Sequence, residues 1–190
     1  MDRLTKCLAK TDADSIWLDN VKTNATEELC VVSFDCDHFR DLVGYTNFPE
    51  SDKRLIEISN IIMSAYPDTD VVRSGGDELL MILPFERNTK TKMGELVEDL
   101  AKTYKFQPRV DKETTLGYRI WRWITRGETE HFEYEPCDYL SSVSCYISPI
   151  TQETTIDEIW EIHDNATSEL SLLNGNSTDG RRRGAVVTGG

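Results

Sequence analysis

The sequence lacks any long hydrophobic segment. No apolar run in its 190 residues approaches the roughly 20 residues that cross a membrane as a helix. The first residues, MDRLT, also lack the apolar core of a signal peptide. Repeats, low-complexity tracts and long linkers are missing from the sequence as well. These absences predict a cytoplasmic protein with a single domain over residues 1–190.

Cysteine is sparse and unpaired. The sequence has five cysteines, an odd number, and no two of them form a close C-x-x-C pair. This pattern argues against a disulfide framework and a zinc site, and it favours reduced thiols. Two histidines, His131 and His163, also have no partner at metal-ligand spacing. We expect both at the surface or as helix caps.

Basic residues are few compared with acidic ones. The chain has 21 lysines and arginines against 34 aspartates and glutamates, a net charge of −13. This charge disfavours direct binding to DNA or to an anionic membrane. It still allows a polyphosphate ligand, provided that metal ions and a local group of arginines offset the charge.

Hydrophobic patterning predicts alternating strands and helices. The nearly continuous apolar run at 29–34 is typical of a strand covered on both faces. Apolar residues at helical spacing predict helices over about 50–65, 91–104 and 155–173, with partial helical character in 1–28. Two apolar runs around Gly75 and Gly76 predict a β-hairpin over about 70–84. Further strands are expected at 118–125, 140–147 and 184–188.

This order of elements predicts an α+β fold, a ferredoxin-like palm with an antiparallel central sheet and helices on a single face. In such a fold the first and third strands pair at the centre of the sheet. The stretch 105–138 does not fit the pattern and is predicted to be an insertion that serves as a lid or dimer contact.

Acidic residues occur at two places that this fold brings side by side. Asp35 and Asp37 follow the first strand, and Asp77 and Glu78 lie in the hairpin turn. Carboxylates that close raise one another's pKa, and a divalent cation removes the conflict. Mg²⁺ prefers a few carboxylate oxygens together with phosphate oxygens, and two such ions can serve phosphoryl transfer. The pattern favours a metal-dependent nucleotidyl transferase over an ordinary hairpin with solvated acids.

Two motifs carry a family resemblance. The sequence at 35–40, D-C-D-H-F-R, and the sequence at 73–79, R-S-G-G-D-E-L, resemble the signature motifs of the GGDEF (diguanylate cyclase) superfamily. That superfamily shares its palm fold with CRISPR-associated signalling polymerases. The opening D-R-L-T at 2–5, the strand at 142–147 and G-R-R at 180–182 also look like GGDEF segments, so the resemblance covers most of the chain.

The resemblance implies a role for each matching residue. Asp35 and Asp77 would bind Mg²⁺ (or Mn²⁺) together with the Cys36 carbonyl, and Glu78 would position or deprotonate a 3′-hydroxyl. The remaining matches would contact the nucleotide, through backbone amides at His38 and Phe39, through positive charge at Arg40 and Arg181, through a base contact at Asp52, and through the glycines of the turn, Gly75 and Gly76. Glycine would let the backbone adopt a positive φ there and approach the ligand.

The departures from the family concern the base and regulation. Val43 stands where the family has the asparagine that reads guanine, and valine can neither donate nor accept a hydrogen bond. A guanine edge left unpaired would cost about 1–3 kcal/mol. No arginine lies between Arg54 and Arg73, so the family's R-x-x-D product-inhibition site is missing.

A short palm with a changed base site is most similar to the minimal CRISPR polymerase family (mCpol). That resemblance implies an ATP-using synthase of a cyclic oligonucleotide, with cyclic di-AMP as the favoured product, acting in antiphage defence. It also implies a homodimer and a membrane effector that senses the product. The alternatives are a divergent diguanylate cyclase that makes cyclic di-GMP, a catalytically dead palm that binds nucleotide, and a phosphodiesterase that uses the same metals.

Overall fold

A six-stranded mixed sheet organises the structure, a computed structural model that describes residues 1–14, 17, 28–37, 39, 42–43, 48–106, 137–175 and 184–189. In chain order its strands are β1 (Leu8–Ala9), β2 (Leu29–Cys36), β3 (Val71–Arg73), β4 (Glu78–Pro84), β7 (Val143–Ile150) and β8 (Val186–Thr188). A separate two-stranded sheet pairs β5 (Lys102–Phe106) with β6 (Cys137–Ser141). The described part of the chain also contains the helices α1 (Phe48–Ala65), α2 (Thr89–Leu100) and α3 (Ile156–Gly175), and residues 10–14 are helical.

The strand order of the main sheet is β1-β3-β4-β2-β7-β8. The four inner strands pair in antiparallel fashion, whereas β1 and β8 add parallel strands at the two edges. The first and third strands of the ferredoxin-like unit, β2 and β4, therefore pair at the centre. The α+β palm with an antiparallel central sheet is confirmed, as is the hairpin formed by β3 and β4.

Strand β2 is buried on both faces because its apolar residues alternate between two cores. Cys30, Val32 and Phe34 pack with α1 and α2, and Leu29 and Val31 pack with Ile159 of α3 on the other face. The prediction that all helices cover a single face is therefore wrong. The nearly continuous apolar run at 29–34 already indicates cover on both faces, and α3 covers the second face.

Two predicted element boundaries are also wrong. The helix predicted over 91–104 ends at Leu100, its last buried residue, because Ala101 is extended (φ −72°, ψ 126°) and β5 begins at Lys102. The single strand predicted at 140–147 is two strands that belong to different sheets. The break lies at Ser142, whose carbonyl accepts a hydrogen bond from the Asp37 amide at 3.0 Å.

One buried cation joins the helical layer to the second sheet. Arg54 of α1 is 2% exposed, and its guanidinium donates to the Ser141 hydroxyl at 3.1 Å, to the Leu100 carbonyl and to Glu57. None of the described helices has both the length and the apolar character that a bilayer span requires. The strand predicted at 118–125 and most of the predicted insertion lie outside the described residues.

Candidate active site at the end of β2

The acidic residues meet where β2 runs beside the start of β4. In the antiparallel register Asp35 lies directly opposite Glu78, and Asp77 immediately precedes that pair. Side chains directly opposite one another have Cβ atoms about 4.5–5.5 Å apart. Because side chains alternate along a strand, both carboxylates lie on the face that α3 covers, the face of Ser33 and Leu80. The two acidic motifs are therefore adjacent in space.

The electrostatics of this pair are unfavourable for two free anions. Burial raises the pKa of Asp35 to about 8, and the charges of Asp77, Asp37 and Glu78 contribute in the same direction. The pKa of Glu78 is also raised, by burial first and then by Asp77 and Asp164, with Lys10 opposing. A cation placed among these carboxylates would offset their mutual repulsion.

The donor set fits an open magnesium site. Among the described residues, no three His, Cys, Asp or Glu side chains converge on one point as ligands. Mg²⁺ in nucleotide sites commonly takes only one or two protein carboxylates and completes its coordination with substrate phosphates and water. Asp35 and Asp77 supply such hard oxygen donors. The thiol of Cys36 is buried with a pKa raised well above its usual value, so it stays protonated, and only the backbone carbonyl predicted as a ligand suits Mg²⁺.

Asp37 belongs to the same motif but has a structural role. Its carboxylate is buried and accepts hydrogen bonds from the Ser142 and Ser144 hydroxyls, both at 2.6 Å, and from the Gly184 amide at 2.8 Å. These bonds join the end of β2 to the start of β7 and to the segment that leads into β8. This role is not evident from the acidic motif itself, and the alternating serines at 142 and 144 were the available signal.

Arg73 connects the Gly-Gly-Asp-Glu turn to the N-terminal segment. Arg73 donates to the Gly75 carbonyl at 3.1 Å and to the Gly76 carbonyl at 2.6 Å, and it also donates to Asp2 at 3.3 Å. Burial opposes ionisation of Asp2, but hydrogen bonds from Thr5 and the charge of Arg73 outweigh it and lower its pKa to about 2. The D-R-L-T segment thus fixes the arginine that supports the turn.

The two glycines of the turn differ from the expected conformation. Among the described glycines only Gly184 has a positive φ (73°), so neither Gly75 nor Gly76 uses the left-handed region. At Gly75 a Cβ would overlap the end of the Glu78 carboxylate, so a larger residue there would push that flexible side chain aside. At Gly76 a Cβ would meet no heavy atom within 4 Å. The space beside Gly76 is therefore open to a ligand.

The predicted base-binding residues lie partly exposed near the surface. Val43 is helical and lies after β2, and Asp52 lies near the start of α1. The side chain of Phe39 packs against the α1 and α2 core. The predicted phosphate-binding residues His38, Arg40 and Arg181 lie outside the described residues, so their roles stay predictions.

One further polar residue reaches this region from α3. His163 is fully buried and contacts Ser33 of β2 and Ser74 of the hairpin. The prediction that it lies at the surface or caps a helix is wrong. Its apolar neighbours in the helical stripe, Ile159 and Ala166, were the available signal, because His163 lies on the same face of α3.

The fold is a palm-like α+β domain that presents two acidic motifs side by side at the end of its central strands. The sequence model described as "Diguanylate cyclase, GGDEF domain" matches residues 1–133. The chain therefore belongs to the GGDEF domain family. A comparison with curated proteins finds no match for this sequence.

Solved structures of GGDEF domains share the fold at low sequence identity. The GGDEF domain of DgcB from Caulobacter crescentus in complex with c-di-GMP has 19% identity and a TM-score of 0.66, with 99% of this chain and 92% of that chain covered. The FimX GGDEF domain from Pseudomonas aeruginosa has 9% identity and a TM-score of 0.61, with 100% and 98% covered. The active GGEEF domain of a diguanylate cyclase from Vibrio cholerae has 14% identity and a TM-score of 0.56, with 96% of both chains covered. At these identities the likeness concerns the fold.

Proposed function

We propose that this protein is a metal-dependent nucleotide cyclase of the diguanylate cyclase type, which condenses two molecules of GTP into cyclic di-GMP. The observation that carries the proposal is the direct pairing of Asp35 with Glu78, next to Asp77, in a chain of the GGDEF family. This replaces cyclic di-AMP as the preferred product, because the matching family model is that of diguanylate cyclases.

Asp35 and Asp77 are the carboxylates that would hold Mg²⁺ (or Mn²⁺). When bound, the ions would neutralise the triphosphate charge and polarise the reacting oxygens. The open space beside Gly76 and the backbone at 38–39 would accept the phosphates. The N-terminal segment and Arg73 hold the turn in place through Asp2, so that the carboxylates need not reorganise when substrate arrives.

Glu78 is the candidate general base. Its raised pKa places it closer to neutrality than an ordinary glutamate, which improves a carboxylate as a proton acceptor. It would take the proton of a 3′-hydroxyl while that oxygen forms a bond to the α-phosphorus of a second nucleotide. The bond from the same phosphorus to pyrophosphate breaks. Two such condensations close the ring and release two pyrophosphates, which requires two palms to face each other in a homodimer.

The test is product analysis with each nucleotide. Purified protein is incubated with Mg²⁺ and GTP, ATP, CTP or UTP, and products are identified by mass spectrometry while pyrophosphate release is followed. We expect cyclic di-GMP from the wild type and no product from Asp77→Asn. If no nucleotide yields a cyclic product, while cyclic di-GMP binds without turnover, the chain is a nucleotide-binding palm and the proposal is wrong.

A second candidate keeps the reaction and changes the base to adenine. It is favoured by Val43, which is partly exposed and offers no hydrogen-bonding group to a guanine edge. Cyclic di-AMP made from ATP, in the defence context of the minimal CRISPR polymerase resemblance with its membrane effector, would follow from that substitution. Competition between ATP and GTP at equal concentration decides between the two bases.

Replacing the valine sharpens that decision. If the guanine edge goes unpaired at this position, Val43→Asn should raise the use of GTP relative to ATP by about tenfold, since a recovered hydrogen bond in a desolvated site contributes about 1–3 kcal/mol. Val43→Leu serves as the size control and should leave the ratio unchanged. A ratio that stays constant in both variants would show that Val43 does not face the base.

A further inference from the structure

A continuous hydrogen-bonded chain runs through His163 from the central strand to the Gly-Gly-Asp-Glu turn. The imidazole is 0% exposed, with Nδ1 at 2.9 Å from the Ser33 hydroxyl and Nε2 at 2.6 Å from the Ser74 hydroxyl. The Ser74 hydroxyl in turn donates to the Glu78 carbonyl at 3.3 Å. Both ring nitrogens are therefore engaged, and the chain ends on the backbone of the candidate base.

The partners define the direction of this chain. A serine hydroxyl carries one hydrogen, so Ser74 can donate to the Glu78 carbonyl only while it accepts from His163. The ring then carries its proton on Nε2 and accepts from Ser33 at Nδ1. Burial lowers the pKa of His163 to about 4, with Asp164 opposing and Lys10 reinforcing the shift, so the neutral form is the one present. A neutral ring with one donor and one acceptor satisfies both serines.

The two serines that bond to His163 lie close in the sequence to the acidic residues. Ser33 precedes Asp35 by two residues on β2 and points to the same face, and Ser74 precedes the turn that carries Asp77. The Ser74 amide also donates to the Glu78 carbonyl at 3.1 Å, which closes the base of the turn. His163 thus connects α3 to β2, whose end carries Asp35, and to the start of the turn that carries Asp77.

We propose that His163 is a positioning residue that holds the Gly-Gly-Asp-Glu turn against β2 through Ser74 and Ser33, and so sets the spacing of the acidic pair. The inference rests on the proposed function for its catalytic consequence. Its structural part, that the imidazole anchors the turn, stands on the hydrogen bonds alone and can be measured without substrate.

Two amide substitutions distinguish the hydrogen bond between Nε2 and Ser74 from the hydrogen bond between Nδ1 and Ser33. The side-chain nitrogen of glutamine occupies nearly the position of Nε2, whereas the nitrogen of asparagine occupies nearly that of Nδ1. His163→Gln therefore keeps the hydrogen bond to Ser74, and His163→Asn loses it. Thr167→Val is the control, because Thr167 lies one turn further along α3 and its hydroxyl donates to the Asp164 carbonyl of the same helix.

The first measurement is amide hydrogen exchange at Ser74 followed by NMR in metal-free buffer. We expect exchange about tenfold faster in His163→Asn, since one lost hydrogen bond weakens the turn, and within about twofold of wild type in His163→Gln and Thr167→Val. Equal exchange in all four proteins would overturn the proposal. Equally accelerated exchange in both His163 variants would also overturn it, because the hydrogen bond from His163 to Ser74 would then not hold the turn.

The second measurement is steady-state kinetics with the nucleotide that the wild type uses. We expect kcat to fall about tenfold in His163→Asn while KM stays within about threefold, with recovery in His163→Gln, because mispositioned carboxylates affect the reacting geometry more than nucleotide binding. An unchanged kcat in His163→Asn would overturn the catalytic consequence. An inactive wild type would instead refute the proposed function, and the exchange result would still decide whether His163 anchors the turn.

Discussion

Asp35 and Asp37 lie two residues apart at the end of β2, and their surroundings differ in kind. The carboxylate of Asp37 is buried among three donors, which are Ser142 just before β7, Ser144 of β7 and the Gly184 amide before β8. Asp35 instead faces Glu78 and Asp77, and its pKa is raised by burial and by those charges. The hydrogen bonds of Asp37 stabilise the folded state. The carboxylates around Asp35 repel one another, and a metal ion would relieve that repulsion. Binding sites are commonly maintained at such a cost in stability.

The largest expected effect comes from Asp35→Asn. The substitution removes a candidate metal ligand, so product formation should fall about 10³-fold, since a lost metal contact corresponds to several kcal/mol of transition-state stabilisation. The same change removes a repelled charge and should raise the unfolding free energy of the metal-free protein by about 1–2 kcal/mol at pH 8. Calorimetry in EDTA and a product assay measure the two quantities.

Asp68→Asn is the matched control for this substitution, because Asp68 is an exposed aspartate in the turn after α1. It should change neither activity nor stability beyond about 0.5 kcal/mol. If the Asp35→Asn protein is less stable than wild type, the Asp35 carboxylate makes stabilising interactions in the folded state. The contrast between Asp35 and Asp37 would then disappear.

Asp37→Ala tests the other half of the comparison. It leaves two buried hydroxyls and the Gly184 amide without their acceptor, so the unfolding free energy should fall by about 3 kcal/mol. Urea unfolding measures this loss. Asp37→Asn keeps one carbonyl acceptor and should lose less. A loss below about 1 kcal/mol for the alanine variant would contradict the structural role, and the residue would then need a functional account.

The sequence predicts the parts of this site that depend on local pattern. The apolar run of β2 and the hairpin are encoded within a few residues each, and the ferredoxin-like order then places Asp35 beside Asp77 and Glu78. The role of Asp37 depends on Ser142 and Ser144, which follow it in the sequence by 105 and 107 residues. No local pattern in the sequence connects residues that far apart. The contacts of His163 span 89 and 130 residues. Isolated polar residues whose partners are distant look like surface residues until the fold is known.

The glycines of the turn provide a smaller and more local test. Gly75→Ala should displace the Glu78 carboxylate and lower kcat about tenfold, because a Cβ at this position collides with that side chain. Gly76→Ala meets open space and should leave the position of Glu78 unchanged. Neither glycine has a positive φ, so both alanine variants should fold as stably as wild type or slightly more so. Equal losses of activity in the two variants would show that ligand approach to the turn, and not the placement of Glu78, limits the reaction.

The smallest expected effect is the pH dependence of stability without metal. Between pH 4 and 8 the folded state keeps a proton on Asp35, whose pKa is about 8, while the unfolded chain has lost it, so stability falls as pH rises. His163 acts in the opposite direction, because its pKa of about 4 lets the unfolded chain bind the extra proton up to about pH 6.5.

Of these two groups, only Asp35 contributes to the pH dependence between pH 6.5 and 8. The unfolding free energy in EDTA should fall by about 1 kcal/mol from pH 6.5 to 8, below the limit of about 1.4 kcal/mol per pH unit for one proton, since Asp35 shares its proton with charged neighbours. Urea unfolding at three pH values measures the slope, and the difference between wild type and Asp35→Asn removes the contributions of other groups. A slope that persists in Asp35→Asn would assign the proton to Glu78, whose pKa is also raised, by burial first and then by Asp77 and Asp164. Glu78 would then be the protonated member of the pair before metal binds.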